Sequence, residues 1–130
     1  MDVFILLIIF QFKHLMADYY LQFPYMYENK GKKLFSEWFE PLTFHAGTHG
    51  ILTLIIVWVF HFTIHNLNPF LLFLLPMFDF ITHFVIDRWK ATRGRHPGES
   101  KFWTDLGIDQ MLHHIVGIII IGGITYGSIY

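Results

Sequence analysis

Four long apolar stretches, separated by two polar segments and one tight turn, set the pattern of the chain. Residues 3–23, 43–65, 69–89 and 104–126 are each long enough, as helices, to cross about 30 Å of hydrocarbon. The polar residues inside them recur at one spacing. Asp79, His83 and Asp87 stand at i, i+4 and i+8 in the third stretch, and His14, Asp18 and Gln22 do the same in the first. His45 and His49 open the second, while Asp105, Asp109 and His113 open the fourth. Residues four apart on a helix share one face, separated by about 6 Å of rise. Each stretch therefore predicts an apolar rod with a single polar stripe. In a soluble helix such a stripe need only be hydrogen-bonded; in a bilayer it is costly and marks a working site.

The connections fill in the topology. Pro24 ends the first helix or sits just beyond it. In the polar segment 24–42, Gly31 marks a turn, and Leu34, Phe35, Trp38 and Phe39 recur at helical spacing. That pattern predicts a short helix lying in the membrane interface, with Pro41 opening the second span. Residues 66–69 form a tight turn that folds spans two and three into an antiparallel hairpin. The loop 90–103 is basic and rich in Gly and Pro. Gly117, Gly122 and Gly123 in the last span permit close helix packing. The first dozen residues resemble a signal-peptide core but lack a basic leading region and a small-x-small cleavage site, so an uncleaved span is expected.

Composition turns these rods into membrane spans. Charged residues make up 15% of the chain, against about 25% in a typical soluble domain. The expected fold is all-α: an integral membrane bundle of four transmembrane helices, forming one domain over residues 1–130. Lys30, Lys32, Lys33, Arg88, Lys90, Arg93, Arg95 and Lys101 all lie in or beside the two long loops. The positive-inside rule then places those loops in the cytoplasm and both termini outside, in a cytoplasmic (inner) membrane. A net charge of −1 gives no case for nucleic acid. Because cysteine is absent, any metal must be held by His, carboxylate or backbone oxygen.

Depth is the strongest signal. With the helices running in alternate directions, the polar halves of all four fall at one level, the cytoplasmic half of the bundle. His14, Asp18, His45, His49, Asp79, His83, Asp87, Asp109 and His113 are therefore the expected metal-ligating set. Convergent His and carboxylate groups from facing helices are how helix bundles build metal sites. Their chemistry suits zinc first, with manganese, iron or magnesium as alternatives, and their number leaves room for one or two divalent ions. Some carboxylates would then orient His rings, and Asp18 or Asp109 would be free to act as a base. Lys13, next to His14, is the expected phosphate-binding charge, unless it merely snorkels to the interface. His113 shares a face with Asp109 whereas His114 does not. His61 and His65, four apart near the other surface, read as interfacial residues, and His96 as a solvated loop residue.

Such a set fits metal-dependent hydrolysis of a phosphate ester or phospholipid-like molecule at the cytoplasmic leaflet. Membrane lipid, or a lipid-linked or phosphorylated molecule, is the corresponding partner. Two alternatives stay open: a non-enzymatic module whose polar or metal cluster locks the helices while its loops bind a partner, and an ion or proton carrier. Polar lining confined to one half favours a dead-end pocket over a channel.

The segments His14-x-x-x-Asp18-Tyr-Tyr-Leu-Gln22, His45-x-x-x-His49, Asp79-x-x-x-His83-x-x-x-Asp87 and Asp109-Gln110-x-x-His113 resemble a family of small bacterial and phage membrane proteins that is catalogued as a domain of unknown function. Where that family's pattern has Asp-Phe, this chain has Asp18-Tyr19. More distantly, the chain is similar to membrane-bound metal-dependent hydrolases with paired His and an Asp/His helix. The resemblance implies a metal site at the positions just named and implies no substrate.

Overall fold

The structure, a computed structural model, describes residues 3–63 and 66–127. The first helix, α1 (Val3–Leu15), runs straight into a π-helical turn at Met16–Tyr20. It is followed by the short α2 (Pro24–Asn29), then by α3 (Phe35–Thr63), α4 (Pro69–Ala91) and α5 (Ser100–Tyr126). Among the described residues, four segments are long and apolar enough to cross a membrane: Val3–Tyr20, Phe35–Thr63, Pro69–Ala91 and Ser100–Tyr126. A helix satisfies its backbone polar groups internally, which is what permits so apolar an exterior. That exterior carries Phe4, Ile8, Phe12, Ile51, Ile55, Phe73, Val85, Ile118 and other large exposed apolar side chains.

Three boundaries differ from those the sequence predicts. The second span begins at Phe35, so Pro41 lies inside α3, and Phe35, Trp38 and Phe39, expected on a separate short helix, belong to α3 itself. As the seventh residue of the helix, Pro41 forfeits the bond to the carbonyl of residue 37, a loss that the packing of the added turns offsets. The added turns are held to α4 by an aromatic cluster. Phe35 stacks on Phe39 (4.6 Å between centroids), Phe39 packs edge-on against Phe84 (5.8 Å), and the Arg88 guanidinium lies 3.8 Å over Trp38. Second, the first span ends at Tyr20, and Gln22 lies beyond it. Third, the last span begins at Ser100 instead of 104; Pro24 sits beyond the first helix as expected and starts α2, a position where its fixed φ is suited to a helix.

The predicted hairpin between spans two and three is capped at its turn. Asn68 caps α4 by accepting from Phe70 N (3.0 Å), Pro69 occupies the first helical position, and Asn68 N donates to Gly127 O at the end of α5. His61 Nδ1 accepts from Leu67 N at 3.0 Å, so this ring belongs to the turn. His65, its expected neighbour, lies outside the described residues.

Close approach of the helices is set at two glycines. A Cβ on Gly50 would stand 3.1 Å from Phe80 Cβ and 3.2 Å from Pro76 O, so α3 and α4 touch almost backbone to backbone there. A Cβ on Gly123 would meet the Leu75 side chain at 2.8 Å, as the small-residue argument anticipates for α5. The end of the bundle away from the long loops is filled by Leu6, Val57, Leu72, Ile120, Ile124 and their neighbours. The loop-side end is not apolar at all.

Candidate metal centre

Two local features aim side chains into the loop-side half. The near-contact at Gly50 brings the preceding residue, His49, face to face with His83 of α4, with ring centroids 3.7 Å apart. On α1, Leu21 N donates to Met16 O at 2.9 Å, an i to i+5 bond that inserts one extra residue into the helix. Single π turns of this kind are frequent at functional sites. Asp18 lies in the turn and reaches His14 (3.1 Å), His45 (3.4 Å) and His49 (3.1 Å). The expected continuation of the stripe to Gln22 does not follow helical geometry. Gln22 instead sits under the site from the loop. With its amide nitrogen turned to the Asp18 carbonyl oxygen (3.2 Å), its side-chain oxygen accepts from Lys30 Nζ at 2.9 Å.

The side chains form two layers. In the deeper one, Asp79 accepts from Lys13 Nζ and from Thr53 Oγ1, both at 2.5 Å, and from His83 Nδ1 at 2.9 Å. In the layer nearer the loops, Asp87 accepts from His45 (3.0 Å), His113 (3.1 Å) and Lys30 (2.9 Å). Asp109 accepts from Lys90 and lies 3.5 Å from His113. The rings of His49, His83 and His113 stand in a column between the layers, with His83 and His113 4.2 Å apart, and His14 flanks them from α1.

Proton positions follow from the partners. An ionised carboxylate can only accept, so the ring nitrogen facing it carries the hydrogen, and the other nitrogen of a neutral ring carries a lone pair. His49 Nε2 donates to Asp18, His83 Nδ1 to Asp79, and His113 Nε2 to Asp87. The opposite atoms, His49 Nδ1, His83 Nε2 and His113 Nδ1, are buried and have no hydrogen-bond partner. This is the arrangement of a metal-ligating His, whose far nitrogen is fixed by a carboxylate. Protonating the column instead would set imidazolium charges about 4 Å apart, a repulsion of about 4 kcal/mol even at an effective dielectric constant of about 20.

Among the described residues, three groups bring potential ligand atoms within 4.8 Å of one another: His14, His49 and His83; Asp18, His45 and His49; and Asp87, Asp109 and His113. Eight of the nine sequence-predicted ligands enter these groups, and the ninth, Asp79, stands outside them behind His83. Four carboxylates (Asp18, Asp79, Asp87, Asp109) face three ammonium groups (Lys13, Lys30, Lys90), which leaves one negative charge before any His titrates. The imidazole and carboxylate donors are of the type that could hold a metal cation.

Other expected positions fall differently. Lys13 is buried against Asp79, so it does not snorkel, and it borders a cavity of about 140 Å³ together with His14, His83 and His113. Asp105 pairs with Arg95 of the loop at 2.8 Å, to one side of the ligand groups. His114 is exposed and bonded to Gln11 of α1 at 3.0 Å, while His113 points inward as expected. Sequence reasoning missed Thr53, Lys30 and Lys90. Thr53 was findable, since it extends the His45–His49 spacing by one more step of four. Lys30 and Lys90 carried only the signal of loop charges. Both line a polar cavity of about 190 Å³ beneath the cluster, with Asp18, Asp87, Asp109 and Gln110.

The chain belongs to the family described as protein of unknown function (DUF3307), whose model matches residues 3–129. No curated protein and no solved structure matches the chain.

Proposed function

We propose that this protein is a membrane-embedded, metal-dependent hydrolase that acts on a phosphate ester or phospholipid-like substrate at the cytoplasmic leaflet. One observation carries the reading: three buried imidazoles each present a free nitrogen while an aspartate holds the opposite one. Hydrogen bonding alone gives no reason to bury three unsatisfied acceptors, each of which costs about 1–3 kcal/mol when left unpaired.

The His-rich group His14, His49 and His83 suits zinc, and the carboxylate-rich group Asp87, Asp109 and His113 suits manganese, iron or magnesium. A bound divalent ion would supply Lewis-acid stabilisation of the negative charge that develops on a phosphoryl group. The chain's own groups do the rest. Asp18, Asp79 and Asp87 fix ring orientation. Lys30 and Lys90, at the floor of the loop-side cavity, are placed to exchange their carboxylate partners for a phosphate oxygen. Asp109, whose Oδ1 is buried without a hydrogen-bond partner, is placed to take a proton from an attacking water. Asp18 touches three rings and serves as ligand or orienting group. Lys13 serves the site through Asp79.

The orientation belongs to the same proposal. The cluster lies at the loop side, and by the positive-inside rule the Lys and Arg of both long loops favour the cytoplasm for that side. A reporter fused to the C-terminus should score as external; a cytoplasmic score would move the site to the outer leaflet. The catalytic claim is tested by elemental analysis together with release of phosphate or headgroup from mixed phospholipid vesicles. At least one divalent metal per chain, with turnover abolished by Asp109→Asn while metal is retained by the His14, His49 and His83 group, is the expected result. Turnover that survives Asp109→Asn would remove Asp109 from the chemistry.

A second reading has its own support. Lys13, Lys30 and Lys90 already neutralise three of the four carboxylates, as a cluster that merely locks the helices would require. Protein that is free of metal and indifferent to chelator would favour it.

A further inference from the structure

The cavity of about 140 Å³ beside the His column has two unlike walls. One is formed by Lys13, His14, Asp79, His83 and His113; the other by Leu7, Phe10, Gly117, Ile118 and Ile121 of α1 and α5. At its mouth Ile118 is exposed, and so is the hydrogen-bonded pair Gln11–His114, which bridges the two helices. Gln11 and His114 both lie near the middle of their helices, where an exposed side chain faces hydrocarbon. A polar pair there is expensive and calls for a function. Gly117 lines the cavity, and a Cβ at this position would meet only Phe10 Cδ1, in ordinary contact at 3.7 Å, so a small side chain fits there and a larger one would enter the cavity. The polar cavity with Lys30 and Lys90 lies on the other side of the His column, toward the loops.

We propose that the α1/α5 seam is a lateral doorway for the hydrocarbon chain of an amphiphilic substrate, with Gly117 as its gauge. The inference rests on reading the four helices as a membrane bundle and the cluster as its working site. A lipid of the inner leaflet would lie with its chain along Phe10, Gly117 and Ile118 and its polar group toward Lys30 and Lys90. The reacting bond then falls at the level of the His column. Gln11 and His114 give the polar part hydrogen-bond partners as it passes the mouth. An enzyme for a free, water-soluble phosphate ester would have no need of an apolar wall or a mouth at hydrocarbon depth.

The test is photo-crosslinking of the purified full chain in phosphatidylglycerol vesicles, using a phosphatidylglycerol with a diazirine on one acyl chain as probe. Adducts should concentrate on the α1 and α5 peptides that contain Phe10 and Ile118, well above those on the lipid-facing side of α3 around Ile55. Gly117→Leu should cut the seam adducts several-fold, because its side chain occupies the slot that the acyl chain would take. Gly117→Ala should keep them. Ile118→Trp, which closes the same mouth from its exposed side, guards against a Gly117→Leu protein that folds poorly and should also lower the adducts. Adducts spread evenly over all lipid-facing surfaces, or seam adducts unchanged in both bulky variants, would overturn the doorway. Crosslinking reads occupancy whether or not metal or turnover is present. Metal-free, inactive protein that still labels at the seam would therefore defeat the hydrolase reading and leave the doorway standing.

Discussion

The two halves of the bundle are built from the same helices and packed by opposite means. Away from the long loops, Leu6, Phe10, Val57, Leu75, Val116, Ile120 and Ile124 fill the interior with apolar side chains. On the loop side, the same helices bury Lys13, His45, His49, Asp79, His83, Asp87, Asp109 and His113, each at most 6% exposed. In lipid the apolar half gains little from burial as such, because the tails outside are equally apolar; close fit holds it together. The polar half gains from charge-assisted hydrogen bonds but leaves several ring nitrogens unpaired. A bundle meant only to be stable would extend the apolar packing to both ends. On the function proposed above, the loop-side half does the binding and the other half holds its geometry.

The largest effect that would break this contrast comes from the polar half. Combined Asp79→Ala and His83→Ala should abolish metal binding and leave Lys13 buried without its partner. Loss of one member of a buried pair costs about 3–5 kcal/mol, which a detergent unfolding titration would read directly. Unchanged stability would mean that the pair lies open to water. In the apolar half, Ile120→Ala, at a fully buried position, should cost about 2–4 kcal/mol through the cavity it leaves. Its metal content should equal that of the parent protein, because no ligand moves. A parallel loss of metal would show that the two halves are not separable. Gly50→Ala should sharpen the point at the boundary. A Cβ there presses on Phe80 and on the Pro76 carbonyl, and such overpacking costs about 1–3 kcal/mol. By parting α3 from α4 it should weaken metal binding without touching a ligand. The smallest effect belongs to His61→Gln, which loses the acceptor for Leu67 N at a cost of about 1 kcal/mol. Melting temperature should fall slightly and metal content should not change.

Much of this arrangement is legible in the chain, and what is not has physical reasons. Four-residue spacing on alternating helices is enough to bring His14, His49, Asp79, His83, Asp87, Asp109 and His113 to one level, since helix geometry and a shared membrane thickness leave little freedom. Side chains from irregular backbone carry no such periodicity. Lys30 enters the cluster from the end of α2, and its approach depends on Arg88 donating to the carbonyls of Lys30 and Lys32 (2.8 and 3.0 Å), a contact no spacing reveals. The π turn at Met16–Tyr20 shifts the register by one residue inside an unbroken apolar run, so Gln22 reads as helical although it is not. Pro41 reads as a helix start because proline favours that position, yet the one missing bond is outweighed by the packing of Trp38 and Phe39 on Phe84 and of Trp38 on Arg88, with Phe35 stacked on Phe39.

The central claim is that the free imidazole nitrogens of the loop-side half bind a metal. The most direct measurement is the metal content of the purified protein, by elemental analysis, for the parent chain beside His83→Gln and His61→Gln. Gln keeps size and some hydrogen bonding at either position but removes most of the metal affinity. At least one divalent ion per chain in the parent and in His61→Gln, with a near-complete loss in His83→Gln, is the predicted result. Metal absent from all three proteins, or lost equally from both variants, would contradict it.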